Sequence, residues 1–352
     1  MKKKRRIVIT FASVPFIRGG AELHAESLKK ELKNRGYETE LIMIPFQWEP
    51  KIEIIKNIIM WRSINIEQIA GKSVDLVIAT KFPSYVIKHP NKVTWLFHQH
   101  RAIYDLYGTP YSDFDCNNEY DMRIRSQIMQ IDNKTLAESK RIFSNAQNTS
   151  KRLKQYNHLD AESLYHPPKH YGKYYCEEYG DYILSVGRLE GLKRVDLLIR
   201  AMQFTDKKVK CIIAGTGGLE NHLRKLTKEL KLESRIKFLG FVDDGELLKL
   251  YANCFAVFFA PYDEDYGYIT LEAFLSKKPI ITASDSGGVM EFAQHETNAL
   301  VAKAANPEIL GGFINKLYQN RSTLCRDYGN NGYLKVKDIS WDYAISKLTS
   351  TL

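Results

Sequence analysis

Short β-branched runs alternate with amphipathic stretches along the whole chain. In the first half, residues 6–11, 38–44, 75–80, 93–98 and 141–144 read as strands. Between the first two, Ala21, Ala25, Leu28 and Leu32 return at helical spacing, and Gly36 is placed to end that helix. The second half repeats the rhythm with strands at 182–186, 209–214, 236–239, 256–260, 279–283 and 299–301, and a helix over 195–202. Such alternation predicts parallel sheets built from βαβ units. The stretch His166-Pro167-Pro168-Lys169-His170 and the ten residues after it are polar, proline-marked and aperiodic. A linker is expected there. The pattern therefore predicts an α/β chain of two Rossmann-like domains, 1–168 and 169–339.

Composition adds limits. A chain of 352 residues exceeds what one core usually serves, and 44% hydrophobic with 26% charged residues is ordinary for a globular protein. No run approaches the roughly 18–20 apolar residues needed to cross a bilayer. The basic start, Lys2 to Arg6, followed by apolar residues 7–17, runs through Pro15 into glycines, so a first strand and its loop fit better than a signal peptide. The five cysteines are scattered and form no CxxC pair, which fits a reducing cytoplasm and argues against disulfides or zinc. Net charge is +10. Residues 1–168 carry 26 Lys+Arg against 18 Asp+Glu, so the excess sits in the first half. That field suits an anionic partner: nucleic acid, lipid headgroups or a phosphorylated substrate.

In open α/β sheets ligands bind beyond the carboxyl ends of the strands. Four segments with chemistry fall at such places. Arg18-Gly19-Gly20-Ala21-Glu22 opens the first helix, whose amino end offers amides and a positive dipole to an anion. It is not a G-x-G-x-x-G fingerprint, so a dinucleotide site is poorly supported. Gly187-Arg188 to Lys193-Arg194 follows a strand and sets a guanidinium and an ammonium five residues apart, a spacing suited to clamping a diphosphate. Gly215-Thr216-Gly217-Gly218 offers a floor without side chains, on which a base or ribose could lie.

The fourth and strongest runs from Phe258 through Asp263-Glu264-Asp265-Tyr266-Gly267-Tyr268 to Glu272. If both glutamates were helical they would stand about 12 Å apart. That is too far for a glycosidase pair, which needs about 5–9.5 Å. With Glu264 on a loop and Glu272 in a helix, the two can grip different parts of one extended ligand. Amides of Asp265 to Tyr268 would then face its phosphates. A metal cluster from Asp263, Glu264 and Asp265 is the rival, weakened because three consecutive side chains cannot all point inward.

The order Gly-Gly-Ala-Glu, Gly-Arg-Leu…Lys, Gly-Thr-Gly and Glu-x7-Glu, followed by Asp285-Ser286-Gly287-Gly288-Val289-Met290-Glu291, resembles glycosyltransferase family 4. The resemblance covers essentially the whole chain. It implies the GT-B fold, with two Rossmann-like domains facing a central cleft and a C-terminal helix, 340–352, crossing back to the first domain. It implies retaining transfer of a hexose-type sugar from a UDP- or GDP-linked donor to a glycan, lipid-linked or lipopolysaccharide-type acceptor. Arg188 and Lys193 would neutralise the diphosphate, Glu272 would bind the ribose hydroxyls, and Glu264 the sugar hydroxyls with help from Gly267 and Tyr268. Gly19 and Gly20 would lie near the phosphates, with Gly187, Gly215, Gly217, Asp265 and Tyr266 completing the donor site. The family's sugar-side histidine would be His98, at the end of a strand, with His100 as the alternative. Asn298 stands where the family often has glycine, and reads as a left-handed position. The loop 107–120 has no family-wide meaning.

No side chain need act as a covalent nucleophile, and no cofactor or metal is expected, because two cations can neutralise the diphosphate. A cytoplasmic enzyme is the expectation, and residues 52–69 could rest it on the inner face of the membrane; the same residues also read as an ordinary core-packed helix. A GT-B nucleotide-sugar epimerase is the runner-up. A nucleic-acid-binding module has only the charge in its favour, with no RNP-like, helix-turn-helix or zinc signature.

Overall fold

The computed structural model describes residues 4–17 and 19–352. The chain divides into one unit of Met1–Lys169 with Ser340–Leu352, and a second of His170–Ile339.

In the first unit the strands are β1 (Arg6–Ser13), β2 (Glu38–Pro45), β3 (Gln68–Ile69), β4 (Lys72–Ser73), β5 (Leu76–Ala79), β6 (Lys92–Leu96), β7 (Arg141–Ser144) and β8 (Glu162–Ser163). All but β3 and β4, which form a small antiparallel hairpin, make one parallel sheet in the order β2-β1-β5-β6-β7-β8. Helices α1 (Gly20–Asn34), α2 (Ile52–Ser63), α3 (Glu119–Ala137) and α4 (Gln147–Asn157) connect them. The continuous apolar runs Ile7–Phe11 and Leu76–Ala79 are buried on both faces, as a helix-covered parallel sheet requires. One face packs Leu28 and Leu32 of α1 against Ile9 and Trp95; the other packs Ile54, Ile58 and Trp61 of α2 against Val77 and Tyr85.

Residues 52–69 therefore hold a core-packed helix, α2, and the first strand of the hairpin. Trp61 is wholly buried, and Lys51, Lys56 and Arg62 pair with Asp121, Glu53 and Glu138. The loop 107–120 is anchored too: Phe114 is buried beneath Lys51, and Tyr107 lies under the Arg125 guanidinium.

The second unit has strands β9 (Tyr182–Val186), β10 (Lys210–Ala214), β11 (Ile236–Gly240), β12 (Ala256–Phe258), β13 (Ile280–Ala283) and β14 (Ala299–Ala302). They form a parallel sheet in the order β11-β10-β9-β12-β13-β14. Its helices are α5 (Val195–Ala201), α6 (Glu220–Glu229), α7 (Asp244–Asn253), α8 (Tyr268–Leu275), α9 (Pro307–Gln319) and α10 (Arg326–Val336). The last helix, α11 (Trp341–Leu348), belongs to the first unit, where Ala344, Ile345 and Leu348 join the α1 side of the core.

In both sheets the chain starts at an inner strand, builds outward on one side, then crosses to the other. The change of direction falls between β1 and β5 in the first sheet and between β9 and β12 in the second. Such a point leaves a crevice outside the carboxyl ends of the two strands.

Candidate active site

The crevice of the second sheet is where the strongest segments emerge side by side. Strand β9 ends at Val186 and releases Gly187-Arg188, while β12 ends at Phe258 and releases the loop toward Glu264. The Tyr262 amide donates to the Leu192 carbonyl at 2.8 Å, tying the two loops together. Across that tie, Lys193 Nζ stands 2.5 Å from Glu264 Oε2. Both side chains keep about a fifth of their surface exposed, so the pair is open to a ligand. Arg188 is more exposed and its guanidinium reaches Glu190 at 2.8 Å.

Sequence reasoning gave Arg194 no role, yet it holds this region together. Its backbone is left-handed (φ +47°), which turns the side chain back under the β12 exit. The fork grips Asp285 through both oxygens at 2.7 and 2.8 Å, and also donates to the carbonyls of Ala260 and Pro261. A bidentate guanidinium of this kind fixes geometry more firmly than an ammonium can. The loop after β13 closes the frame: Gly288 N donates to Glu264 O at 2.7 Å and Asp263 N to Asp285 O at 2.9 Å. Among the described residues, those of the acidic run 263–265 included, no three His, Cys, Asp or Glu side chains gather to hold an ion.

Gly267 caps α8 with φ +79° and, having no side chain, makes no side-chain cap bond of its own. That end presents amides and a positive dipole beside Glu264. Tyr266 packs its ring in the interior against Phe292, so what it can offer a ligand is backbone. Glu272 is the fifth residue of α8. Its carboxyl lies in a densely packed recess with some solvent access and accepts from Tyr251 Oη at 2.7 Å. Burial raises its pKa, while the Tyr251 and Tyr174 hydroxyls pull it back down.

Gly215 and Gly217 stand where packing admits no side chain. A Cβ on Gly215 would fall 1.9 Å from the Gly187 carbonyl, and one on Gly217 2.5–2.8 Å from the Leu189 backbone. Two strand-end loops press together at these glycines. The expectation for Asn298 is corrected. It is absent from the left-handed residues, among which nearby Glu296 stands at φ +55°. Its amide instead staples the turn, accepting from Gln294 N at 2.7 Å and donating to Phe292 O at 3.0 Å.

In the first unit, Arg18 lies outside the described residues. Gly19 is the N-cap of α1 and Gly20 its first residue. Glu22 accepts from Gly19 N at 2.9 Å and pairs with buried Lys81 at 3.2 Å, so the loop is braced from the end of β5. His98 lies two residues beyond β6, its Nδ1 donating to the Gln99 carbonyl at 2.7 Å. A carbonyl only accepts, so this bond sets the tautomer and makes Nε2 the acceptor nitrogen of the neutral ring. His100 is spoken for by packing: its ring meets Phe82, Phe114 and Phe46 at 5.3–6.0 Å, and burial drops its pKa to about 3.

Residues 176–335 match the family model of glycosyl transferases group 1. This segment is a group 1 glycosyltransferase domain. It holds Arg188, Lys193, Glu264 and Glu272. A glycosyltransferase of Methanocaldococcus jannaschii without an assigned role is 32% identical over 169 residues, covering 46% of this chain and 41% of that protein. An N-acetylgalactosaminyltransferase of Campylobacter jejuni, named for a diphospho-undecaprenol-linked acceptor, is 30% identical over 146 residues, 42% of this chain and 38% of that protein. The chain thus spans about two fifths of the length of these relatives.

Among solved structures, Anabaena HepE in complex with UDP and glucose aligns over 99% of this chain and 100% of its own, at TM-score 0.71 and 18% identity. WaaG, involved in lipopolysaccharide biosynthesis, aligns over 97% and 99% at TM-score 0.73 and 15% identity. The chain has the GT-B fold, two α/β domains with parallel sheets.

Sequence reasoning missed Arg194, Asp285, Lys81 and Tyr251 as builders of these sites. Only Arg194 left a local trace, as a third cation in Arg188…Lys193-Arg194; the others act through partners 21 to 91 residues away.

Proposed function

We propose that this glycosyltransferase moves a hexose-type sugar from a UDP- or GDP-linked donor, with retention as the family 4 resemblance implies, to a glycan, lipid-linked or lipopolysaccharide-type acceptor. One observation carries the reading: Lys193 and Glu264, 71 residues apart, meet beside the amino end of α8, outside the switch point of the second sheet. A cation for phosphate, a carboxylate for sugar hydroxyls and helix amides for an anion stand together there. HepE, solved with UDP and glucose, and the undecaprenol-linked acceptor named for the Campylobacter relative are consistent with it.

In the proposed reaction Arg188 and Lys193 stabilise the departing diphosphate, and the acceptor hydroxyl enters on the face the diphosphate leaves. A diphosphate at Lys193 competes with Glu264 for the ammonium, turning the carboxylate toward the sugar hydroxyls. The carry-over assigns His98 to the sugar, Gly19 and Gly20 to the phosphates, and Glu272 to the ribose. Gly187 and Gly267 serve by letting backbone approach, and Asp265, Tyr266 and Tyr268 through their amides. No divalent metal is required. Assayed against a panel of nucleotide-sugars, Lys193→Ala and Arg188→Ala should each lose on the order of 10²–10³ in turnover. Unchanged turnover in both would refute the assignment, and activity abolished by EDTA and restored by magnesium would refute the metal-free reading.

The acceptor side belongs in this reading to the basic first unit, at the membrane surface. Ile52, Ile59 and Met60 stay exposed on α2. Co-sedimentation with vesicles that contain anionic lipid, and none with neutral vesicles, is the expected result.

A further inference from the structure

Strand β6 ends at Leu96, and His98 and Gln99 lie in the irregular stretch beyond it. The His98 ring is tied through Nδ1 to the Gln99 carbonyl at 2.7 Å, so whatever fixes Gln99 also fixes where Nε2 faces. Gln99 is itself buried, and its amide donates to Asn157 Oδ1 at 2.8 Å. Asn157, the last residue of α4, donates in turn to Asn133 Oδ1 at 2.7 Å and to Tyr104 Oη at 3.3 Å. Tyr104 donates to Asp132 Oδ2 at 2.8 Å, and the Tyr85 hydroxyl acts on the same carboxyl. Two elements distant in sequence, α3 and α4, thus anchor the residue next to His98.

The chain also has a direction. An ionised carboxylate only accepts, so Tyr104 must donate to Asp132. The Tyr104 oxygen is then left to accept from the Asn157 amide, which turns the Asn157 oxygen toward Gln99. Each bond is therefore set by the one before it, from Asp132 out to Gln99. Apolar side chains of the same shape would serve stability about as well, so the value of such a chain lies in orientation.

We propose that Gln99 is a positioning residue for His98, anchored by the buried chain Gln99–Asn157–Tyr104–Asp132 so that Nε2 is presented in one direction as the accepting nitrogen. The inference rests on the reading in which His98 meets the transferred sugar, and it deepens that reading by naming what holds the ring.

The experiment pairs donor turnover with the tautomer of His98. Both are measured at about pH 8, above the Asp132 value of about 7, on wild type, Gln99→Met, His98→Ala and the double variant. With the nucleotide-sugar that turns over, Gln99→Met should lower kcat about tenfold or more while KM moves less than about threefold, because a misaimed group is felt in the transition state. In the His98→Ala background the same substitution should cost nothing further, since effects that run through one residue do not add. Nitrogen-15 spectra of histidine-labelled protein, with the His98 signal identified by its loss in His98→Ala, should show Nδ1–H alone in wild type and a mixture of tautomers in Gln99→Met. A residue that only supports the fold would lower turnover alike in both backgrounds and leave the tautomer unchanged. Either of those results would overturn the proposal. If His98→Ala keeps full turnover while Gln99→Met still mixes the tautomers, the sugar-side role of His98 fails and the positioning stands. If no nucleotide-sugar is turned over by the wild type, the underlying function is wrong and the spectra alone decide the positioning. Should Gln99→Met fail to fold, Tyr104→Phe cuts the chain farther from His98 and is judged on the same readouts, alone and with His98→Ala.

Discussion

Asp132 is wholly buried on α3, accepts from Tyr104 Oη at 2.8 Å, and is pushed by burial from 3.8 to about 7. A carboxyl raised in this way contributes its full stability below about pH 4, and that contribution is lost as pH rises through 7. Asp132→Asn carries no such loss. Relative to wild type, the variant should gain up to about 1.4 kcal/mol per pH unit between pH 4 and 7. Urea unfolding at pH 5 and pH 7.5 measures this, and a pH-independent difference would contradict it. None of this was visible in the sequence, where nothing around Asp132 marks it. The same limit applied at the candidate site. Glu264, Glu272, Lys193 and Arg188 were legible because strand ends collect chemistry, whereas Arg194 and Tyr251 depend on partners that only the fold supplies.

Among elements, α11 shows how a short helix can be essential to a unit that is distant in sequence. Trp341 covers a stack in which His24 and His166 lie 3.6 Å apart, its own ring 5.4 Å from His166 and 6.1 Å from Trp95. Burial holds His166 down at about 3 and His24 well below its ordinary value. Both are lowered, so the unfolded chain takes up protons that the folded chain refuses. Stability should therefore fall as pH drops below about 6.5. Thermal melts from pH 7.5 to 5 should show that fall, and Trp341→Ala should cost roughly 2 kcal/mol at neutral pH by baring the stack. A flat acid profile together with a silent Trp341→Ala would mean that the helix is not a structural part of the unit.

The eleven expected strands all appear, within about two residues at most ends, because buried parallel strands leave continuous β-branched runs. Strands β3, β4 and β8 were not anticipated, since two residues are too few to show a period. The close approach of two loops at Gly215 and Gly217 was hidden for a comparable reason, since it leaves no local signature other than glycine itself.

At the scale of the molecule, each unit repeats one plan, a parallel sheet that reverses direction beside its first strand. The plan puts the usable edge of each sheet at its carboxyl end, and the sequence carries its glycines, cations and carboxylates there. Charge adds a second asymmetry, since nearly all of the +10 lies in residues 1–168 while the donor-type residues lie in 176–335. In the proposed reading the two halves serve different partners. The most direct test is to titrate UDP and GDP into the wild-type chain and into Lys193→Ala with no metal present. Binding of one nucleotide per chain, weakened at least about tenfold by the substitution, is the predicted result. Equal affinity in the two proteins, or no binding by either nucleotide, would contradict the assignment of the second unit as the donor site.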